Sequence, residues 1–210
     1  MSKVTIIKTG VANLASVIAG LKRAEAEIEI SSDAEKIKNA SHVLLPGVGH
    51  FEVGVKALRE TGLEDVLKLR FEKQLPTMAI CLGLQMLFEA SEEAPNIKGL
   101  GLIKGKVERF TGDIRIPQLG WNYVEPSNAE SSAESSVESK GDQMFIKPGH
   151  AYFANSYKVT KAPSDWKVAK TNYGGDFIAA VEKGNLLAAQ FHPELSGKWG
   201  LDLIKRWVAC

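Results

Sequence analysis

Through the N-terminal part of the chain, short apolar runs alternate with stretches whose apolar residues recur every three or four positions. Val4–Lys8, Glu27–Ile30, His42–Pro46 and Thr77–Ile80 read as strands, and Asn13–Ala24, Asp33–Asn39 and Leu82–Ala90 as helices. Gly54–Gln74 is also mainly helical, with a break at Gly62. Regular alternation of this kind predicts an α/β fold, a doubly wound, mostly parallel sheet with helices on both faces. Ligands of such sheets bind beyond the carboxyl ends of the strands, so functional residues are expected where strands end.

From Gly99 onward the texture changes. Gly101–Phe110, Met144–Ile146, Ala151–Val159 and Asp176–Glu182 are strand-like pieces separated by Gly, Pro and Asn, which predicts an antiparallel extension built from hairpins. Ser127–Gln143 is rich in Ser and Glu and almost free of large apolar residues, the composition of a mobile surface loop. Leu186–Phe191 reads as a buried strand, and Trp199–Cys210 as a terminal helix with Leu203, Ile204, Trp207 and Val208 on one face. The length of 210 residues suits one domain spanning 1–210.

Charge narrows the partners. With 26 basic and 25 acidic residues the formal net charge is +1, and no basic stripe suited to nucleic acid or an anionic membrane is visible. No leader or long apolar span is apparent, so a cytoplasmic location is expected. Two cysteines, Cys81 and Cys210, make no disulfide framework, and four histidines with no ligand spacing predict no metal and no cofactor.

Cys81 stands at the seam between an apolar strand and a helical run, with Ala79 two residues before and Gly83 two after. A strand that turns at once into a helix brings those flanking positions so close that they must be small, and it aims the turn residue over the helix N-terminus, where thiolate is favoured. A small buried hydrophobe is the competing reading of the same cysteine. "QFHPELS", Gln190–Ser196, offers a base: residues two apart on an extended segment share a side, so Glu194 can reach the imidazole of His192. That is the logic of a Cys-His-Glu triad, although His-x-Glu alone also suits two surface residues. "LLPGVGHF", Leu44–Phe51, closes the third strand with glycines whose backbone N–H groups could face a ligand or merely make a turn. Neither a dinucleotide fingerprint nor a phosphate loop is present.

With these segments identified, the chain resembles the class I, triad-type glutamine amidotransferases, and among them the glutaminase subunits of imidazole glycerol phosphate synthase. "LLPGVGHFEVG", "AICLGLQMLFEAS", "EEAPNIKGLGLI", "IPQLGWN" and "AAQFHPELSG" carry the resemblance in order. It implies a flavodoxin-like fold and hydrolysis of glutamine to glutamate and ammonia, the ammonia passing to a partner cyclase subunit in a heterodimer that serves histidine biosynthesis. Cys81 would be the nucleophile, His192 the base and acid, and Glu194 its orienter; the N–H groups of Val48 and Leu82 would form the oxyanion hole. By the same resemblance Gly47, Gly49, Gln85, Ser156 and Tyr157 hold glutamine, while Gln118, Leu119, Gly120, Trp121 and Asn122 face the cyclase. Asn155 and Leu195 depart from the family pattern, which usually has histidine and lysine there, and Ala79 stands where glycine is commoner.

Rival readings are a glutaminase serving another synthase, such as anthranilate or pyridoxal phosphate synthase, a cysteine peptidase of similar topology, and a catalytically dead binding subunit. The oxyanion loop and "PQLGWN" weigh against the first, Glu194 against the second, and the intact triad against the third.

Overall fold

A computed structural model describes residues 2–10, 13–127 and 145–210. The first half runs β1 (Lys3–Ile7), α1 (Leu14–Arg23), β2 (Glu27–Ser31), α2 (Ala34–Asn39), β3 (His42–Leu45), α3 (Phe51–Glu60), α4 (Leu63–Glu72), β4 (Thr77–Ile80) and α5 (Leu82–Leu87). The second half adds β5 (Phe88–Ser91), β6 (Ile103–Arg109), β7 (Gln118–Ser127), β8 (Gly149–Asn155), β9 (Tyr157–Val159), β10 (Lys167–Asn172), β11 (Asp176–Lys183), β12 (Leu186–Ala189) and α6 (Gly197–Val208). Helix starts follow local chemistry: Asp33 Oδ1 accepts from the Lys36 N–H at 3.0 Å, and Asn13 and His50 cap α1 and α3 in the same way.

Strands β2-β1-β3-β4-β12 are parallel neighbours in that order, and β11, β10, β7 and β8 continue the sheet antiparallel. This is the flavodoxin-like, doubly wound order with the antiparallel extension that the sequence predicts.

Strand alternation divides the core into two layers. Val4, Ile6, Leu44, Met78, Ile80, Leu187 and Ala189 pack one face of the sheet against α1 and α6, through Val17, Leu21, Leu203, Ile204 and Trp207. Ile7, Val43, Leu45, Ala79 and Ala188 pack the other face against α2 to α5, through Ile37, Phe51, Val55, Leu67 and Leu84. Both faces being covered explains why the parallel strands read as continuous apolar runs. Among the described residues no helix is long and apolar enough to cross a membrane.

Four expectations are corrected. The helix expected over Leu82–Ala90 stops at Leu87, because Phe88, Ala90 and Ser91 pair in parallel with Ile103, Lys106 and Val107 of β6. Phe145 and Ile146 form no strand: their N–H groups instead donate to the two carboxylate oxygens of Glu182, at 2.8 and 2.9 Å, and Met144 lies outside the described residues. Strands β7 and β10 went unread, since polar residues interrupt their alternation. The terminal helix begins at Gly197 rather than Trp199. Of the surface loop expected over 127–143, Ser127 ends β7 and the remainder lies outside the described residues.

Candidate active site

Cys81 follows β4 and caps α5 in a backbone conformation that side-chain-bearing residues seldom adopt, with φ +54° and ψ −110°. Neighbouring backbone holds it there. The Cys81 N–H donates to the Ala189 carbonyl of β12 at 2.7 Å, and the Gln85 N–H donates to the Cys81 carbonyl at 3.2 Å, closing the first turn of α5. A Cβ at Gly83 would collide with the Leu45 carbonyl oxygen, so the small residue two places after the cysteine is a steric requirement. Ala79, two places before, is buried. Strain of this kind persists only where the surroundings impose it, and it aims the sulfur out of the sheet edge.

His192 follows β12, the strand beside β4. Its N–H donates to the Tyr152 carbonyl at 2.9 Å, and its own carbonyl accepts from the Ser196 hydroxyl at 2.6 Å. Pro193–Leu195 form one tight turn, so Glu194 folds back onto the imidazole and its Oε1 lies 2.9 Å from Nδ1. Nδ1 being occupied, Nε2 is the ring nitrogen left for Cys81, which lines the same cleft as the imidazole. Burial alone would push the imidazole's pKa down, but the hydrogen bonds to the Cys81 and Glu194 side chains, with their charge, outweigh it and raise the pKa to about 10. The Arg23 guanidinium, at 3.0 Å from the Glu194 carbonyl, and the bare Cα of Gly20, which presses on Glu194, lock the turn from outside.

The cleft over this pair has a volume of about 380 Å³ and is lined by Val48, Gly49, Cys81, Leu82, Gln85, Glu93, Pro117, Leu119, Ala154, Asn155, Ser156, Tyr157 and His192. A second cleft, of about 440 Å³, is lined by Phe71, Trp166 and Lys183 near the start of β12; neither cysteine nor histidine reaches it. Chemistry decides between the two, and the smaller cleft holds the nucleophile and base.

Gly47 presses close to the helix start, where a Cβ would stand 2.7 Å from the Gly83 nitrogen and 2.8 Å from the Leu82 Cβ. Its carbonyl accepts the Leu82 N–H at 3.3 Å. In a trans peptide the carbonyl and the next N–H point opposite ways, so the Val48 N–H is directed away from that spot. Gly49 adopts φ +104°, a region open to glycine.

The remaining predicted residues divide. Gln85, Ser156 and Tyr157 line the cleft, and the Gln85 amide donates to the Gln190 Oε1 at 2.8 Å and the Tyr157 carbonyl at 3.4 Å. Leu119 and Trp121 are exposed on the outer face of β7, joined there by Tyr123, and Gly120 is half-buried between them. Gln118, expected at that surface, is buried on the opposite side because successive strand residues alternate; the Asn122 amide turns to the Asn172 carbonyl at 2.9 Å. Asn155 lines the cleft and donates to the Tyr157 carbonyl at 2.8 Å, and Leu195 is exposed. Sequence reasoning missed Gln190 and Glu93. Gln190 carried a signal, standing two residues before His192 on the same extended run, whereas Glu93, which accepts the Phe51 N–H at 2.7 Å, carried none.

Comparison with known proteins agrees with this geometry. The family model described as glutamine amidotransferase class-I matches residues 5–208. The imidazole glycerol phosphate synthase subunit HisH of Rhodopirellula baltica is 39% identical over 208 residues, covering 98% of this chain and 96% of that protein. The subunit of the same name from Oceanobacillus iheyensis is 34% identical, covering 97% of each. The chloroplastic imidazole glycerol phosphate synthase hisHF of Arabidopsis thaliana is 36% identical over 211 residues, which make up 34% of that longer protein. Among solved structures, one described as a glutamine amidotransferase superposes with a TM-score of 0.73 at 20% identity, covering 98% of this chain and 99% of that one, which speaks to the fold alone.

Proposed function

This chain belongs to the glutamine amidotransferase class-I family, and from that premise we propose that it is the glutaminase subunit of an imidazole glycerol phosphate synthase. Glutamine hydrolysis is its reaction, and Cys81, His192 and Glu194 carry it. The observation that supports this most directly is that Cys81 and His192 line one cleft, with Glu194 behind the imidazole at 2.9 Å from its Nδ1.

Each step has a residue. His192 takes the proton of the Cys81 thiol, the resulting thiolate attacks the carboxamide carbon of glutamine, and the tetrahedral oxyanion is stabilised by donated N–H groups. His192, protonated, gives its proton to the departing ammonia as the C–N bond breaks, leaving a glutamyl thioester. Neutral His192 then takes a proton from water, which attacks the thioester, releases glutamate and restores the thiol. Glu194 holds the ring with Nε2 towards sulfur and stabilises the imidazolium.

Of the two oxyanion donors in this reading, Leu82 lies at the helix start and the Gly47 carbonyl occupies its N–H. Rotation of the Gly47–Val48 peptide would withdraw that carbonyl and supply the Val48 N–H, and a glycine at 47 permits it. A missing oxyanion donor costs roughly a hundredfold or more in rate, so the resting chain has low activity. Gly47, Gly49, Gln85, Ser156 and Tyr157 hold the substrate in this reading.

The partner is a cyclase subunit that consumes the ammonia. The apolar surface of Leu119, Trp121 and Tyr123 on β7, beside the cleft mouth, supports docking there. The protein acts in the cytoplasm.

The test is co-elution with the cyclase, followed by glutaminase assay with and without the cyclase's nucleotide ligand. Stimulation of roughly a hundredfold is expected, and its loss in Cys81→Ser. Full turnover by the isolated chain would overturn the switch, and failure to associate with the cyclase would overturn the assignment.

A further inference from the structure

Gln190 is fully buried at the end of β12, and neither substrate-holding nor the triad employs it. Its Nε2 lies 3.7 Å from the Cys81 sulfur, within hydrogen-bond reach of that large acceptor, while its Oε1 accepts from Gln85 Nε2 at 2.8 Å. The second contact settles the first. An amide can present either end to a neighbour, but a nitrogen donor on one side requires the oxygen there and turns the NH₂ to the other. Gln85 in turn is held by the Tyr157 carbonyl at 3.4 Å and stands one helical turn from Cys81. The three side chains form a directed chain, Gln85 to Gln190 to sulfur.

We propose that Gln190 is a thiolate-holding residue: it donates an N–H to the Cys81 sulfur, stabilising the anionic nucleophile and fixing its aim. This deepens the proposed function and rests on it for the chemistry. The aligned amide gives the anion of this buried sulfur a hydrogen-bond donor, and hydrogen bonds to charged groups are among the stronger ones. Before attack the donor favours thiolate. After thioester formation the sulfur loses its charge and the bond weakens, so the contribution belongs to formation of the nucleophile rather than to substrate affinity.

The test uses the full chain, alone for alkylation and with the cyclase for turnover. Iodoacetamide labelling is followed at Cys81 by peptide mass spectrometry across pH, so that Cys210 does not interfere. In Gln190→Met the alkylation profile should move towards alkaline pH, with the rate at neutral pH reduced about tenfold, the equivalent of one pH unit. Glutaminase kcat should fall in parallel with KM unchanged. Gln190→Glu keeps the volume and the acceptor for Gln85 while replacing the donor by a carboxylate, and it should move the profile further. If the methionine variant fails to fold, as judged by circular dichroism, the glutamate variant decides by the same readout.

A profile superimposable on that of the unsubstituted protein overturns the inference. A displaced profile in a chain that hydrolyses no glutamine would leave the inference standing and remove the glutaminase reading instead; unchanged profiles alongside brisk glutamine hydrolysis would do the reverse.

Discussion

The carbonyl of Gly47 accepts the backbone N–H of Leu82 at 3.3 Å, so the peptide that joins β3 to its glycine loop is bonded to the start of the helix that carries the nucleophile. The contact ties loop and helix together and sets the orientation of the Val48 N–H. Its closeness depends on residue 47 having no side chain.

Gly47→Ala would place a Cβ 2.7 Å from the Gly83 nitrogen and 2.8 Å from the Leu82 Cβ. Neither is the free end of a flexible side chain, so the loop must shift. Stability should fall by about 1–3 kcal/mol, read by urea denaturation. Cyclase-stimulated glutaminase should fall roughly a hundredfold, because the displaced loop misplaces the second oxyanion donor.

The pH dependence follows from His192. Its folded pKa, about 10, lies above the ordinary value of 6.5. The stabilisation from its protonated form is therefore fully present below about pH 6.5 and is lost as pH rises through about 10. In activity the same titration sets an alkaline limb of kcat/KM, since neutral imidazole cannot protonate departing ammonia. Glu194→Gln removes the carboxylate beside Nδ1, so that limb should move to lower pH and the neutral-pH rate should drop roughly tenfold or more; a pH–rate profile reads both.

Glu182 titrates in a different window. Burial raises its carboxyl to about 7, with the Ile146 and Phe145 N–H groups opposing the shift. A carboxyl raised on folding contributes stability below its ordinary value of 4.5 and loses that contribution as pH rises through 7. Thermal melts from pH 4 to 8, roughly spanning this range, should lose that component in Glu182→Gln, which cannot ionise.

Arg70 is completely buried on α4, and its guanidinium donates to the carbonyls of Ile37, Lys38, Ala40, Ser41 and Pro76 and to the Thr77 hydroxyl. It closes the end of α2 and joins it to β3 and β4, while burial lowers its pKa to about 10. Arg70→Met leaves those carbonyls unpaired and should cost about 3–5 kcal/mol by urea denaturation. Arg70→Lys should rescue little, because an ammonium lacks the planar fork that spans so many acceptors.

The legible part of this protein was local. The 3.6- and 2-residue periods gave the strands and helices of the first half to within a few residues, and Asp33 and Asn13 marked helix starts. His192 and Glu194 announced themselves because they interact across two residues of chain, and Cys81 because small residues flank it at a strand-to-helix seam. The helix end at Leu87 was not legible, since the competing partner of Phe88–Ser91 is a strand more than ten residues away. For the same reason Phe145 and Ile146 looked like a strand although Glu182 claims their N–H groups. The burial of Gln118 lay hidden too, because reading the face of β7 first required knowing that the segment is a strand.

By itself, then, the amino-acid sequence determined the alternation of elements, the strand-to-helix seam at Cys81 and the reach of Glu194 to His192, set by periodicity and short-range reach, while the Ala189 and Leu45 carbonyls that hold and crowd that seam belong to the tertiary structure. Tertiary structure alone decided that β4 and β12 lie side by side, bringing a sulfur and an imidazole 111 positions apart into one cleft. It also turned the Gly47 carbonyl onto Leu82 and aligned Gln190 against the sulfur. Those contacts depend on hydrogen-bond partners distant in sequence, chosen by packing of the whole sheet, and no local pattern encodes which donor meets which acceptor.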